Sequence, residues 1–138
     1  MFFTGDCTII VLNDSLSILN SNKSKVYEGT IVDNSISNVK DCSFIYHPDT
    51  KRVDFQVVGY IVSSISDWES IVKIPDEILP LTNNKNAYCG TVIAGEGVNA
   101  ICAICYISPS NNGYLSATGI SSVGANRYIK LFGSYYTV

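Results

Sequence analysis

The 138 residues suffice for one domain with its own core, and 46% of them are hydrophobic against only 15% charged. Soluble domains average about 25% charged residues, so Ser, Asn, Thr and Tyr must cover much of this surface. A net charge of −3, a pI of about 4.9 and the lack of any basic run argue against nucleic-acid binding. No stretch reaches the roughly 18 apolar residues of a membrane helix.

The chain opens MFFTGDCTIIVLND. Asp6 stands where a signal peptide carries its basic region, and the apolar run Cys7–Leu12 is too short for the hydrophobic region of one. That run reads as a strand, and the chain as a product of a cytoplasm. Val, Ile, Thr, Tyr and Phe dominate the rest of the chain, with turn residues at roughly 8–12-residue intervals and little helical periodicity. This is the pattern of an all-β sandwich or barrel. Strands are expected near 7–12, 16–19, 29–33, 42–47, 52–64, 70–74, 87–94, 98–107, 114–120 and 127–132, with 134–137 closing the chain. SNKSK (21–25) is a polar connection that separates a short N-terminal piece from the main sandwich; residues 1–41 are expected to be added N-terminal strands, a neck or a connector, and 42–138 the sandwich. HPDTK (47–51) and AGEGVN (94–99) are hairpin turns, and SPSNNG (108–113) is a polar loop.

RVDFQVVGYIVSSIS (52–66) is the clearest strand. Its odd positions, Val53, Phe55, Val57, Gly59 and Ile61, face a core by period-2 alternation. Its even positions begin polar with Arg52, Asp54 and Gln56, then turn apolar with Val58, Tyr60 and Val62. NAICAICYIS (99–108) goes further: neither face is polar. An antiparallel sheet usually shows water one face, so a second copy of the chain is expected to cover the other. Val58, Tyr60, Val62, Ile101, Ala103, Cys105 and Ile107 are the expected contacts between copies.

The five cysteines are odd in number and follow no disulfide spacing. Cys102 and Cys105 lie three apart on a strand and point to opposite faces, so they cannot grip one zinc together, and one His offers few other ligands. They read as core thiols. No metal and no cofactor is expected.

From Cys42 onward the chain resembles the C-terminal receptor-binding (tip or head) domains of bacteriophage tail fibre and baseplate proteins. CSFIYHPDTKRVDFQVVGYIVS is similar to their early hairpin and long central strand, and ESIVKIPDEILPL to the strand and Leu-Pro corner. AYCGTVIAGEGVNAICAICYIS and NNGYLSATG are similar to the strands that come next in those domains, and YIKLFGSYYTV to the last one. The resemblance implies an antiparallel jelly-roll-like β-sandwich, a homotrimer, and a virion location on tail fibre or capsid surface. It implies adhesion to a bacterial surface saccharide or protein, and contact with other virion proteins. The alternative it leaves is a structural virion protein, a head fibre, decoration or connector with the same trimeric sandwich and no ligand.

Candidate contact residues are few. In Asp67-Trp68-Glu69, an extended backbone would set the two carboxylates on one face about 6.6 Å apart at Cα, near the spacing of glycosidase pairs, with Trp68 pointing away. The better reading is an exposed loop that touches a ligand. Loops at the ends of a sandwich carry binding, which adds Asn111, Asn112 and Tyr114, and Asn126 and Arg127 of SSVGANR (121–127). Tyr, Asn and Ser are also the residues of adaptable binding surfaces. His47 reads as a turn residue, and no catalytic motif is present. The chain is expected not to be an enzyme.

Overall fold

The computed structural model describes residues 23–81, 87–108 and 111–137. Within them nine strands run in chain order: β1 (Lys25–Glu28), β2 (Thr30–Ile31), β3 (Ile36–His47), β4 (Arg52–Ile61), β5 (Ser70–Lys73), β6 (Ala87–Ala94), β7 (Ile101–Ser108), β8 (Asn111–Thr118) and β9 (Tyr128–Tyr136). All pair antiparallel in one sheet of order β1-β3-β4-β9-β6-β7-β8-β5-β2. The two edge strands are consecutive in the chain. The sheet is therefore nearly closed, which is how an all-β fold blunts its open edges.

Gly29 is the corner between those edges. Its N–H donates to the Cys42 carbonyl at 3.0 Å, extending the β1–β3 ladder by one step, and the next residue already pairs with Lys73 of β5. A Cβ there would stand 2.6 Å from the Phe44 ring and 3.0 Å from Val72. The corner can turn only because glycine leaves that space to the core.

The boundary expected between 41 and 42 falls inside β3, and β1 and β2 belong to the same sheet. Residues 23–41 thus contribute strands to the same sheet, and the sheet does not divide at 41/42. The strands expected at 7–12 and 16–19 lie outside the described residues. The expected loop 108–113 is shorter, because β8 already begins at Asn111 and Ser108 pairs with it. The strands expected at 127–132 and 134–137 are one, running through Gly133.

The alternation read in β4 places Val53, Phe55, Val57 and Ile61 in the core. There they meet Phe44, Val72, Val92, Cys105, Ile107, Leu115, Ile129 and Leu131. Phe44, Phe55 and Tyr135 form a row of tilted rings, with centroids 5.9 and 6.3 Å apart. The Tyr135 hydroxyl ends that row by donating to the Ile78 carbonyl at 2.8 Å, so the buried polar atom is satisfied.

These buried acids make stability depend on pH. Burial pushes the Tyr135 phenol well above its ordinary 10.0, and the Cys89 thiol beside it adds to the shift. Burial likewise raises Cys42 from 9.0 to about 11. The unfolded chain releases both protons at ordinary values while the folded chain holds them. Their contribution is complete below about pH 9 and is lost as pH rises past it. Thermal melts should be flat up to about pH 9 and fall steeply above it. In Tyr135→Phe the loss beginning near pH 10 should shrink, at a cost of about 1 kcal/mol at neutral pH for the orphaned Ile78 carbonyl. An alkaline limb identical in the two proteins would refute this assignment.

Candidate functional site

The strands define two ends. One carries the β3–β4 turn, the β7–β8 connection and, among the described residues, the segment 74–81. The other carries the turn at 32–35 and the segments 62–69, 95–100 and 119–127, and it is the richer in loops. The expected ligand residues divide between them. Asp67, Trp68, Glu69, Asn126 and Arg127 lie at the loop-rich end. Asn111 and Asn112 begin β8 at the other, and Tyr114 pairs with Lys73 nearby. A strand of eight residues spans about 25 Å, so one small ligand cannot touch both groups.

Among the described residues, two clefts at the loop-rich end stand out. The larger, about 390 Å³, lies between segments 95–101 and 122–127. Glu96, Asn99, Ser122 and Arg127 give it charged and polar walls, and Ile101 and Val123 add apolar surface. Its size falls within the usual range for small-ligand sites. The backbone is held on both sides. Gly95 and Gly97 adopt φ of +98° and +59° in the hairpin, and Asn126 sits at +64°. The Asn126 N–H donates to the Ile61 carbonyl at 2.7 Å and the Ile61 N–H to the Arg127 carbonyl at 2.8 Å, which anchors Arg127 to the end of β4. Val98, at the hairpin tip, is fully exposed.

The smaller cleft, about 170 Å³, lies between the 32–35 turn and residues 63–70. Its walls are Asp33, Glu69 and the serines 35, 63, 64 and 70, with Val32 and Ile65. Beside it, residues 66–69 are a turn and not an extended segment, closed by the Glu69 N–H to the Ser66 carbonyl at 3.2 Å. Asp67 and Glu69 therefore do not share a strand face as the glycosidase comparison requires. Asp67 Oδ1 accepts from the Gly119 N–H, and Glu69 Oε2 from the Ser66 N–H, each at 2.8 Å. Both carboxylates serve the loop itself.

A third and larger groove, about 470 Å³, runs along the open edge between β1 and the bulge of β3. It is a gap beside an edge strand, and no loop among the described residues closes over it.

His47 has the partners that spacing alone could not show. Ser24 Oγ lies 2.9 Å from Nδ1, and Asp54 Oδ2 lies 2.8 Å from Nε2. Ser24 arrives across β1–β3 and Asp54 across the hairpin. A hydrolase triad also joins Ser, His and Asp, but its serine meets Nε2 and its carboxylate Nδ1, the reverse of the order here, and the setting differs as well. Asp54 also pairs with Arg52 at 3.1 Å, and both are well exposed. None of the three clefts is lined by Ser24, His47 or Asp54. The ring is satisfied as a surface turn residue.

The two apolar faces read in NAICAICYIS are both present, with the inner one now fixed. Cys105 and Ile107 are fully buried in the chain's own core, and Ile101 and Ala103 pack against it. These four expected inter-copy contacts point inward. The outward face of β7 is Cys102 and Ile104, and Ile104 is 46% exposed. Register continues that face across the sheet. Ile104 stands beside Thr91, Thr91 beside Phe132, and Phe132 beside Gln56; Cys102, Ile93, Lys130 and Val58 form the next row. Tyr60 and Tyr128, edge to face at 6.2 Å, extend it. Val62 lies just beyond β4, 43% exposed. Lys130 is the cation of these rows, 5.2 Å from the centre of the Phe132 ring.

No protein-family model matches the chain, and no curated protein matches it. Among solved structures it is similar to the crystal structure of the receptor binding protein (gp15) of Listeria phage PSA. The TM-score is 0.58 at 17% identity, over 99% of this chain and 82% of that one. The likeness establishes a shared fold.

Proposed function

We propose that this chain is a bacteriophage receptor-binding module that attaches a virion to a saccharide on the bacterial surface, without catalysis and as a homotrimer. The observation that carries the reading is the likeness over nearly the whole chain to a phage receptor binding protein. The loop-rich end supplies a suitable site, where a cleft of about 390 Å³ offers Arg127, Glu96, Asn99 and Ser122 to hydroxyl groups. Asp67 and Glu69, the best carboxylate pair in the sequence, are spent on backbone N–H groups, which supports binding over cleavage. The outward apolar rows of β4, β9, β6 and β7 suit contact between copies, and several weak sites on one particle bind by avidity.

Labelled protein incubated with a panel of bacterial cells tests the reading. Binding to cells stripped of surface protein by protease, and lost on removal of surface polysaccharide, is the expected result. Arg127→Ala should weaken cell binding at least tenfold, since a charge-assisted hydrogen bond contributes about 1.5–3 kcal/mol, while leaving the melting temperature unchanged. A protein that binds no cell in the panel would favour the ligand-free structural role.

A further inference from the structure

The turn at 66–69 holds a residue that the turn does not want. Trp68 occupies its third position with φ of +70°, where Gly or Asn is the ordinary choice and a bulky side chain is an outlier. The backbone is nonetheless fastened there. The Trp68 N–H donates to the Ala117 carbonyl at 3.2 Å, and the flanking Asp67 and Glu69 carboxylates cap the Gly119 and Ser66 N–H groups. One side of the indole is supported by Tyr106, with ring centroids 4.5 Å apart and planes at 71°. Tyr106 itself is buried, yet Trp68 remains 55% exposed. Folding alone explains neither choice: glycine would suit the turn better, and a core tryptophan would be covered. Strain fixed by surrounding structure points to function.

The surroundings suggest which. Glu69, whose carboxylate is taken by the Ser66 N–H, leads directly into the smaller cleft, whose remaining polar lining is serine hydroxyls and the Asp33 carboxylate, with no Lys or Arg among the described residues there. An aromatic ring presents a flat apolar face, and a neighbouring row of hydroxyls and carboxylate oxygens accepts and donates hydrogen bonds. Together they match a sugar ring, which has one C–H face and a rim of hydroxyls. The lack of a cation in that lining disfavours anionic sugars. We infer that Trp68 and the adjoining serine-lined cleft form a saccharide subsite selective for neutral or N-acetylated sugars, separate from the Arg127 cleft. This rests on the receptor-binding reading and assigns it a second contact.

The chain has one tryptophan, so its emission reports this site alone. The test titrates the full chain with methyl glycosides of glucose, galactose, mannose, rhamnose, N-acetylglucosamine and N-acetylgalactosamine, and with glucuronic acid. At least one neutral or N-acetylated sugar should shift the emission to the blue, and glucuronic acid should not. Trp68→Gly, which relieves the backbone, should keep the fold and weaken cell binding at least tenfold, and Trp68→Phe should recover part of it. Cell binding equal in wild type and Trp68→Gly, with no sugar moving the emission, would overturn the subsite and leave the receptor-binding reading intact. Emission that is blue in the assembled protein and moves red on dilution would place Trp68 between copies and likewise overturn it. Wild-type protein that binds no cell would instead remove the reading beneath it.

Discussion

Gly133→Ala should not yield a stably folded protein. Gly133 of β9 pairs with Gly90 of β6, and β6 bulges between Tyr88 and Gly90 against β7. The bulge brings the Cys89 carbonyl to the space that a Gly133 side chain would fill. A Cβ on Gly133 would overlap that oxygen and stand 2.6 Å from the Gly90 Cα; one on Gly90 would overlap the Phe132 carbonyl. The obstructing atoms are backbone in two paired central strands, so no rotamer change relieves the clash. The strands must part, beside the Phe55–Tyr135 ring contact. Overpacking of this kind costs about 3 kcal/mol or more, against total stabilities of about 5–15 kcal/mol. The expected result is insoluble protein, or a melting temperature lowered by about 10 °C or more. Gly124→Ala is the control, because no atom lies within 4 Å of a Cβ there, and it should melt within a degree or two of wild type. A Gly133→Ala protein that melts beside its parent would show that β6 and β9 do not approach as described.

That crossing also shows where the sequence is silent. Periodicity in 52–66 reveals the inner face of β4 because polar residues mark the outer one. Turn residues place the 47–51 and 94–99 hairpins, where Lys51, Gly95 and Gly97 adopt positive φ. Gly90 and Gly133 carry no such mark, since their meaning lies in a pairing between residues 43 positions apart, and nothing local encodes it. The closure at Gly29 is hidden for the same reason: a local pattern shows a strand start there, not a corner that joins two sheet edges.

The candidate site is legible in part, along the same divide. Asn126 and Arg127 stand out because a loop rich in Gly and Asn announces itself. Glu96, Asn99 and Ser122 do not, because the hairpin that brings the first two opposite Arg127 is distant in sequence. Trp68 is conspicuous as a rare residue, but its neighbours fit an extended segment equally well. Only the hydrogen bond from the Glu69 N–H to the Ser66 carbonyl and the positive φ of Trp68 show a turn. Asn111 and Asn112 look like loop residues and begin a strand, since the β7–β8 connection is shorter than its polar composition suggests.

If the proposed homotrimer joins its copies through the outward face of β7, Ile104→Lys should convert it into a monomer. Alternation in 99–108 cannot say which apolar face looks outward, because both are apolar, and only the neighbours of β7 decide it. Ile104 lies beside Thr91 and Thr118, and the row continues through Phe132. An apolar face shared between copies tolerates an ammonium poorly, since a buried charge without a partner costs several kcal/mol. Lys130, already in the next row, would add repulsion wherever copies bring these faces together. Light scattering should give about 45 kDa for wild type, three copies of a 15.0 kDa chain, and about 15 kDa for the variant, with circular dichroism unchanged. Val98→Lys, at a hairpin tip that is fully exposed and away from these rows, should leave the mass as it was. Cell binding should fall by about two orders of magnitude or more in the Ile104 variant, because avidity vanishes while each site survives. A wild-type mass of 15 kDa, or a variant that still assembles, would show that the outward face of β7 joins nothing, and the multivalent reading of the module would have to rest on some other surface.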